Sequence, residues 1–110
     1  MPLYLLRYDP VQGRKVWVDV GDPAKVTEGV IHARKIFDRT VVLTRVDGAV
    51  CAVDGQCPHR ETSLAGGRID NGTIRCPMHG YEYDMRTGKG MGNNLQLETI
   101  RCVESEEPPR

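Results

Sequence analysis

Two short segments, Cys57-Pro58-His59 and Cys76-Pro77-Met78-His79-Gly80, constrain this chain more than any other feature. Each offers one thiol and one imidazole on a loop made sharp by Pro58, Pro77 and Gly80. Whatever the rest of the chain folds into must bring the loops 57–60 and 76–80 side by side if the four donors are to act together. Two cysteines and two histidines suit either a single tetrahedral zinc or two irons bridged by two sulfides. In the second case Cys57 and Cys76 would hold one iron while His59 and His79 held the other. Each loop must then reach both metals, so its two ligands must sit only one or two residues apart, as they do here. A Cys-x-His pair is very tight for two bonds to one zinc. Zinc fingers of the two-Cys, two-His kind usually place both thiols in one half and both imidazoles in the other. The spacing favours iron–sulfur and leaves zinc open.

The remainder of the sequence describes a modest host for such a centre. At 110 residues, 39% of them hydrophobic and 5% aromatic, the chain is one small domain with a limited core. A metal centre tying its loops together would be useful to it. Twelve Gly and seven Pro point to many turns and argue against a long helical bundle. Lys+Arg and Asp+Glu are both 15, so nothing in the charge supports a nucleic-acid or membrane-surface partner. The longest apolar runs are short, such as Val41-Val42-Leu43, and Met1 to Arg7 lacks the marks of a secretion signal. A cytoplasmic protein without a membrane partner is the expectation. The four cysteines could make two disulfides. Cys57 and Cys76 each stand at a short offset from a histidine, however, and Cys51 and Cys102 do not. Metal-binding thiols are the better reading without a secretion signal.

Along the chain, residues 1–15 read as an N-terminal extension with an apolar patch at Leu3–Leu6 and a turn at Gln12-Gly13. Short strands separated by turns follow, the pattern of an all-β barrel or sandwich. Strands are expected at Val16–Val20, Val30–Phe37, Thr40–Val46 and Ala49–Val53, with a turn at Asp38-Arg39 and a strong hairpin signal at Asp47-Gly48. Ala24–Glu28 is long enough for one helical turn. Brief strands are expected at Thr73–Arg75 and Tyr81–Tyr83, then a last strand over Leu95–Glu104 and a flexible tail at 105–110. The domain proper is thus 16–104.

With these residues in view the sequence resembles the Rieske family, whose pattern is Cys-x-His followed by Cys-x-x-His. The resemblance runs from about Trp17 to Gly90 and includes Asp47-Gly48-Ala49-Val50, Cys57-Pro58-His59-Arg60, Leu64, Gly67, Cys76 to Asp84, and Thr87-Gly88. It implies an antiparallel β barrel or sandwich with a small subdomain of two cluster-binding loops. It also implies one [2Fe–2S] cluster on Cys57, His59, Cys76 and His79. Met78, Tyr81 and Tyr83 would form the cluster's surroundings.

The resemblance also suggests which kind of member this is. Respiratory and photosynthetic relatives carry an extra cysteine in each loop, joined as a disulfide; here Thr62 and Met78 stand in those places. High-potential relatives place a serine after the loop glycine, where this chain has Tyr81; Tyr83 could still donate to a cysteine sulfur. Neutral histidine ligation lets the cluster pass from zero charge to minus one on reduction, within a family range of roughly −150 to +300 mV. Hydrogen bonds to sulfur favour the reduced state and raise the potential. With fewer such donors, this chain belongs toward the lower end. Its potential should fall at alkaline pH, because an iron-bound imidazole loses its second proton more readily when oxidised. The resemblance is to ferredoxins and oxygenase domains of bacterial ring-hydroxylating systems. Only His32 remains once the cluster is filled, too little for the oxygenase's two-His, one-carboxylate iron. The expected function is therefore a monomeric one-electron carrier, not itself catalytic on a substrate. It would pass electrons from a reductase, flavin-dependent, to a terminal oxygenase. The alternatives are a small subunit of a larger oxidoreductase such as a nitrite reductase, and a zinc-stabilised binding module without redox activity.

Other residues take plainer readings. Cys51 and Cys102 are expected to be buried small apolar groups, Trp17 a core residue and His32 a surface or hydrogen-bonded histidine. Arg60, Arg68, Arg75, Arg86 and Lys89 alternate with Glu61, Asp70, Glu82 and Asp84, which reads as a mixed solvated surface. The family's proline-bearing cover beside the cluster is replaced by Gly90-Met91-Gly92-Asn93-Asn94.

Overall fold

A computed structural model of the chain describes residues 1–59 and 62–110. The expected feature at Arg60 and the charge at Glu61 lie outside the described residues.

Strand β4 (Arg39–Val46) organises the molecule. Its Val41-Val42-Leu43-Thr44 run is buried on both faces, and side chains alternate between two cores as the pleat requires. Val41 and Leu43 point into one core with Leu3, Leu5, Val26, Ile36, Ala52 and Ile100. Val42 and Val46 point into the other with Val53, Leu64, Ile74, Tyr83, Met85, Leu97 and both loop cysteines, Cys57 and Cys76. The candidate thiols are thus part of a hydrophobic core.

The central sheet comprises β3 (His32–Ile36), β4, β5 (Ala49–Asp54) and β10 (Thr99–Ile100), in the order β10-β5-β4-β3. A second sheet has β1 (Leu3–Asp9) between β2 (Arg14–Asp19) and β11 (Cys102–Glu104). The third, running β6-β7-β8-β9, is built from β6 (Arg68–Asp70), β7 (Thr73–Arg75), β8 (Glu82–Asp84) and β9 (Gly90–Met91). All named strand pairs are antiparallel. Among the described residues no helix is long and apolar enough to cross a membrane.

Turn chemistry explains two of the joints. Asp47 (φ 50°) and Gly48 (φ 84°) are both left-handed between Val46 and Ala49, as is Asn71-Gly72 (φ 49° and 77°) between Asp70 and Thr73. That is the tight hairpin turn whose twist matches the strands. Pro23–Lys25 makes a single 3-10 turn, begun by Asp22, whose carboxylate accepts from the Ala24 amide at 2.9 Å.

Several expectations need correction. The N-terminal extension, residues 1–15, supplies a strand to the fold: β1 is the middle strand of its sheet, with Leu3, Tyr4 and Leu5 buried. The apolar patch at Leu3–Leu6 exists because that strand has a core to fill. The turn expected at Asp38-Arg39 falls at Phe37-Asp38, since Ile36 pairs with Arg39 and Phe37 takes the positive φ of 56°. The third-sheet strand expected at Tyr81–Tyr83 is Glu82–Asp84. The single last strand over 95–104 is divided at Arg101, with β10 serving the central sheet and β11 the outer one. Trp17 is half-buried rather than core, and the Arg101 guanidinium lies 5.8 Å from its ring centre.

Candidate metal centre

Each cysteine closes its own loop. The Cys57 amide donates to the Thr62 carbonyl at 2.9 Å, and the Cys76 amide to the Tyr81 carbonyl at 2.7 Å. The same five-residue closure is therefore used twice, and each cysteine sits at the root of a loop that carries its histidine outward. The first loop is anchored to the sheet by Gly55, whose amide donates to Thr40 and whose carbonyl accepts from Leu64. The second turns through His79 (φ 65°) and Gly80 (φ 69°), two successive left-handed residues. Glycine suits position 80 because its φ of 69° is strained for other residues; the Arg75 guanidinium lies over it.

The structure brings the four donors together as two pairs. Both thiols are buried. Burial pushes the Cys76 thiol above its usual range; a hydrogen bond from the Met78 backbone lowers it, and the neighbouring Cys57 sulfur raises it again. The two imidazoles stand edge to face, with ring centres 5.8 Å apart and planes at 83°. A thiol pair and an imidazole pair, each drawn from both loops, are the donor set that a centre of two irons takes.

The surrounding residues hold this arrangement in place. His59 is half-buried, and its Nδ1 is enclosed without a hydrogen-bond partner among the described residues. A buried nitrogen lone pair left this way is costly unless something binds it. Tyr81 stacks on the His59 ring at 3.8 Å and 13°, fixing its plane. Tyr83 is fully buried with its hydroxyl 3.3 Å from the Cys57 sulfur. Burial pushes the Tyr83 hydroxyl well above its ordinary pKa, and the hydrogen bond and charge of Cys57 add to that. It therefore stays protonated and able to donate. Met78 is exposed, and the Thr62 hydroxyl reaches its sulfur at 3.8 Å. The two positions where relatives carry bracing cysteines are thus neighbours here, bridged by a weak polar contact.

Beside the first loop, Gln96, Leu97 and Glu98 border a cavity of about 370 Å³ shared with Cys57, Pro58 and His59. Arg39 and Asp54 form an ion pair on its wall. Sequence reasoning passed over the Arg39–Asp54 pair because its partners lie 15 residues apart. His32 lies away from the loops, where its Nε2 accepts from the Thr27 amide at 3.0 Å.

An all-β domain that presents two thiols and two imidazoles from adjacent loops is a metal-cluster module. The chain belongs to the Rieske [2Fe–2S] domain family, whose description matches residues 16–103, and the group such a domain binds is a [2Fe–2S] cluster. It is 28% identical over 75 residues to the ferredoxin component of the naphthalene 1,2-dioxygenase/salicylate 5-hydroxylase systems of Ralstonia sp; the match covers 68% of this chain and 72% of that one. It is 38% identical over 72 residues to the oxygenase component of dicamba O-demethylase of Stenotrophomonas maltophilia, covering 64% of this chain but 21% of the oxygenase. Among solved structures, the ferredoxin of carbazole 1,9a-dioxygenase from Nocardioides aromaticivorans IC177 superposes with a TM-score of 0.73 at 25% identity, covering 83% of this chain and 91% of that one.

Proposed function

We propose that Cys57, His59, Cys76 and His79 hold the cluster, and that the protein is a monomeric carrier of single electrons from a flavin-dependent reductase to a terminal oxygenase of the ring-hydroxylating type. The observation that carries this reading is the enclosed Nδ1 of His59, unpartnered among the described residues, beside an imidazole partner and a buried thiol pair. Those residues fit a two-iron group with two sulfur and two nitrogen ligands. When bound, the cluster accepts and releases one electron. The chain's own residues set the terms. Tyr83 keeps its proton and donates toward the Cys57 sulfur, which favours added negative charge there. Tyr81 holds the His59 ring by stacking instead of supplying a hydroxyl to the centre. His79 is exposed, so its outer edge is the natural point of contact for a redox partner. The relatives named above include a ferredoxin of similar length, which supports a carrier role. His32, the remaining histidine of this sequence, is engaged by the Thr27 amide.

The test is anaerobic purification, iron and zinc analysis, electron resonance of the reduced sample, and voltammetry across pH. A reversible one-electron wave near the lower end of the family range, falling at alkaline pH, is expected. A wave at the upper end would move the partner away from ring-hydroxylating oxygenases. A colourless protein with one zinc would sink the redox reading.

A further inference from the structure

The surface beside the second loop holds two positive charges that close no ion pair among the described residues. In the third sheet Arg68 lies directly across from Arg75, and both are exposed. Like charges facing each other across an antiparallel pair are unfavourable. Nearby cations are matched: Arg86 pairs with Asp47 at 2.7 Å, and Arg39 with Asp54. Arg68 and Arg75 take part in no ion pair among the described residues. Glu82, opposite Arg75 on β8, does not close one either. Between the arginines and the loop lies a cavity of about 280 Å³, lined by Gly66, Gly67, Arg68, Arg75, Cys76, Pro77 and Gly80. Its floor at Gly67 is backbone, since a Cβ there would stand 2.0 Å from the Arg75 carbonyl oxygen. The Arg75 guanidinium is itself laid over Gly80, the residue that follows His79 in the second loop.

We propose that Arg68 and Arg75 form a docking notch for an acidic segment of the redox partner protein, seating a carboxylate beside His79. The inference rests on the electron-carrier reading and adds to it the face and the charge of the partner. Guanidinium pairs suit carboxylates, which they bind through paired N–H donors. The occupant is a partner's side chain and not a resident small anion. A permanent negative charge at this place would oppose each reduction of the neighbouring centre, whereas a transient one acts only during the encounter. Among the described residues of the first-loop side, Arg39 is already paired to Asp54.

The test uses the reduced holoprotein, oxidised in a stopped-flow instrument by anionic hexacyanoferrate(III) or by cationic tris(phenanthroline)cobalt(III). At low salt, Arg68→Gln should slow the anionic reaction several-fold and the Arg68→Gln/Arg75→Gln pair about tenfold. The cationic reaction should hold or quicken, and high salt should erase the difference. Arg75→Lys should recover part of the anionic rate, which a merely structural role of Arg75 on Gly80 would not give. Arg68→Gln disturbs no contact of the loop and guards against misfolding of the double variant. Hexaglutamate should inhibit the anionic reaction of the unaltered protein at lower concentration than inorganic phosphate. Equal rates in all variants of a reducible protein would overturn the notch and leave the carrier standing. Phosphate matching hexaglutamate would make it a small-anion site instead. A protein without a reducible centre would overturn the carrier reading, and the notch with it.

Discussion

Tyr83 shows how one side chain serves two ends of the molecule. Its ring is fully buried in the core shared with Ile74, Met85 and Leu97, while its hydroxyl touches the Cys57 sulfur at 3.3 Å. Tyr83→Phe would keep the volume and remove only the donor. A hydrogen bond worth about 1 kcal/mol more to the reduced centre corresponds to roughly 40 mV for one electron. The variant should therefore show a midpoint potential lower by that order in voltammetry, with its thermal unfolding little changed; an unaltered potential would show that the hydroxyl is a packing ornament. Tyr81 acts differently, through its face, on the His59 ring. Tyr81→Ala should leave the potential near its original value but hasten loss of iron on dilution into chelator, read from the visible spectrum. The motif itself was plain in the sequence because its ligands are close neighbours within each loop. What each tyrosine does was not, because the contacts 57–83 and 59–81 exist only after the loops are folded together.

Among the elements, those with local signals were legible. Asp47-Gly48 specified its hairpin because both residues tolerate positive φ, and β4 and β5 on either side followed. Asn71-Gly72 carries the same signal, and would have placed β6 as well as β7 had it been weighed. Phe37 gave no warning of its left-handed turn, since nothing in an aromatic residue advertises one. The place of residues 1–15 in the sheet was not legible for a plain cause: β1 pairs with β2 and with β11, and the second partner lies almost a whole chain away. Leu5→Ala should accordingly lower stability by about 2–5 kcal/mol in denaturant titrations, although Leu5 precedes the region that resembles the family. Leu6→Ala, at a half-buried position, should cost clearly less. Equal and small losses would return the segment to the status of an appendage.

For the molecule as a whole, the groups with shifted titration all lean the same way. Burial raises Cys51, Cys76, Cys102 and Tyr83 above their ordinary values of 9.0 and 10.0. A raised pKa means that folding favours the protonated form. The associated stability is fully present below pH 9 and is lost as pH climbs through the raised values. Metal-free protein should thus melt at a steady temperature around neutrality and at falling temperatures above about pH 9. The cluster-loaded protein should resist further, since liganded Cys57 and Cys76 have no proton left to lose.

The division of the last strand at Arg101 carries one more consequence. Because β11 returns to lie beside β1, the Ser105 amide donates to the Pro2 carbonyl at 3.1 Å, and the two ends of the described chain meet on the outer sheet. That sheet contributes none of the loop residues. The chain is topologically close to a ring, and a ring may be cut elsewhere. A circular permutant, with its old ends joined by a short flexible bridge and new ends opened at the exposed Asp47-Gly48 turn, should fold and take up its cluster. The same closeness of ends lets such a domain be spliced into a longer polypeptide without drawing its loops apart.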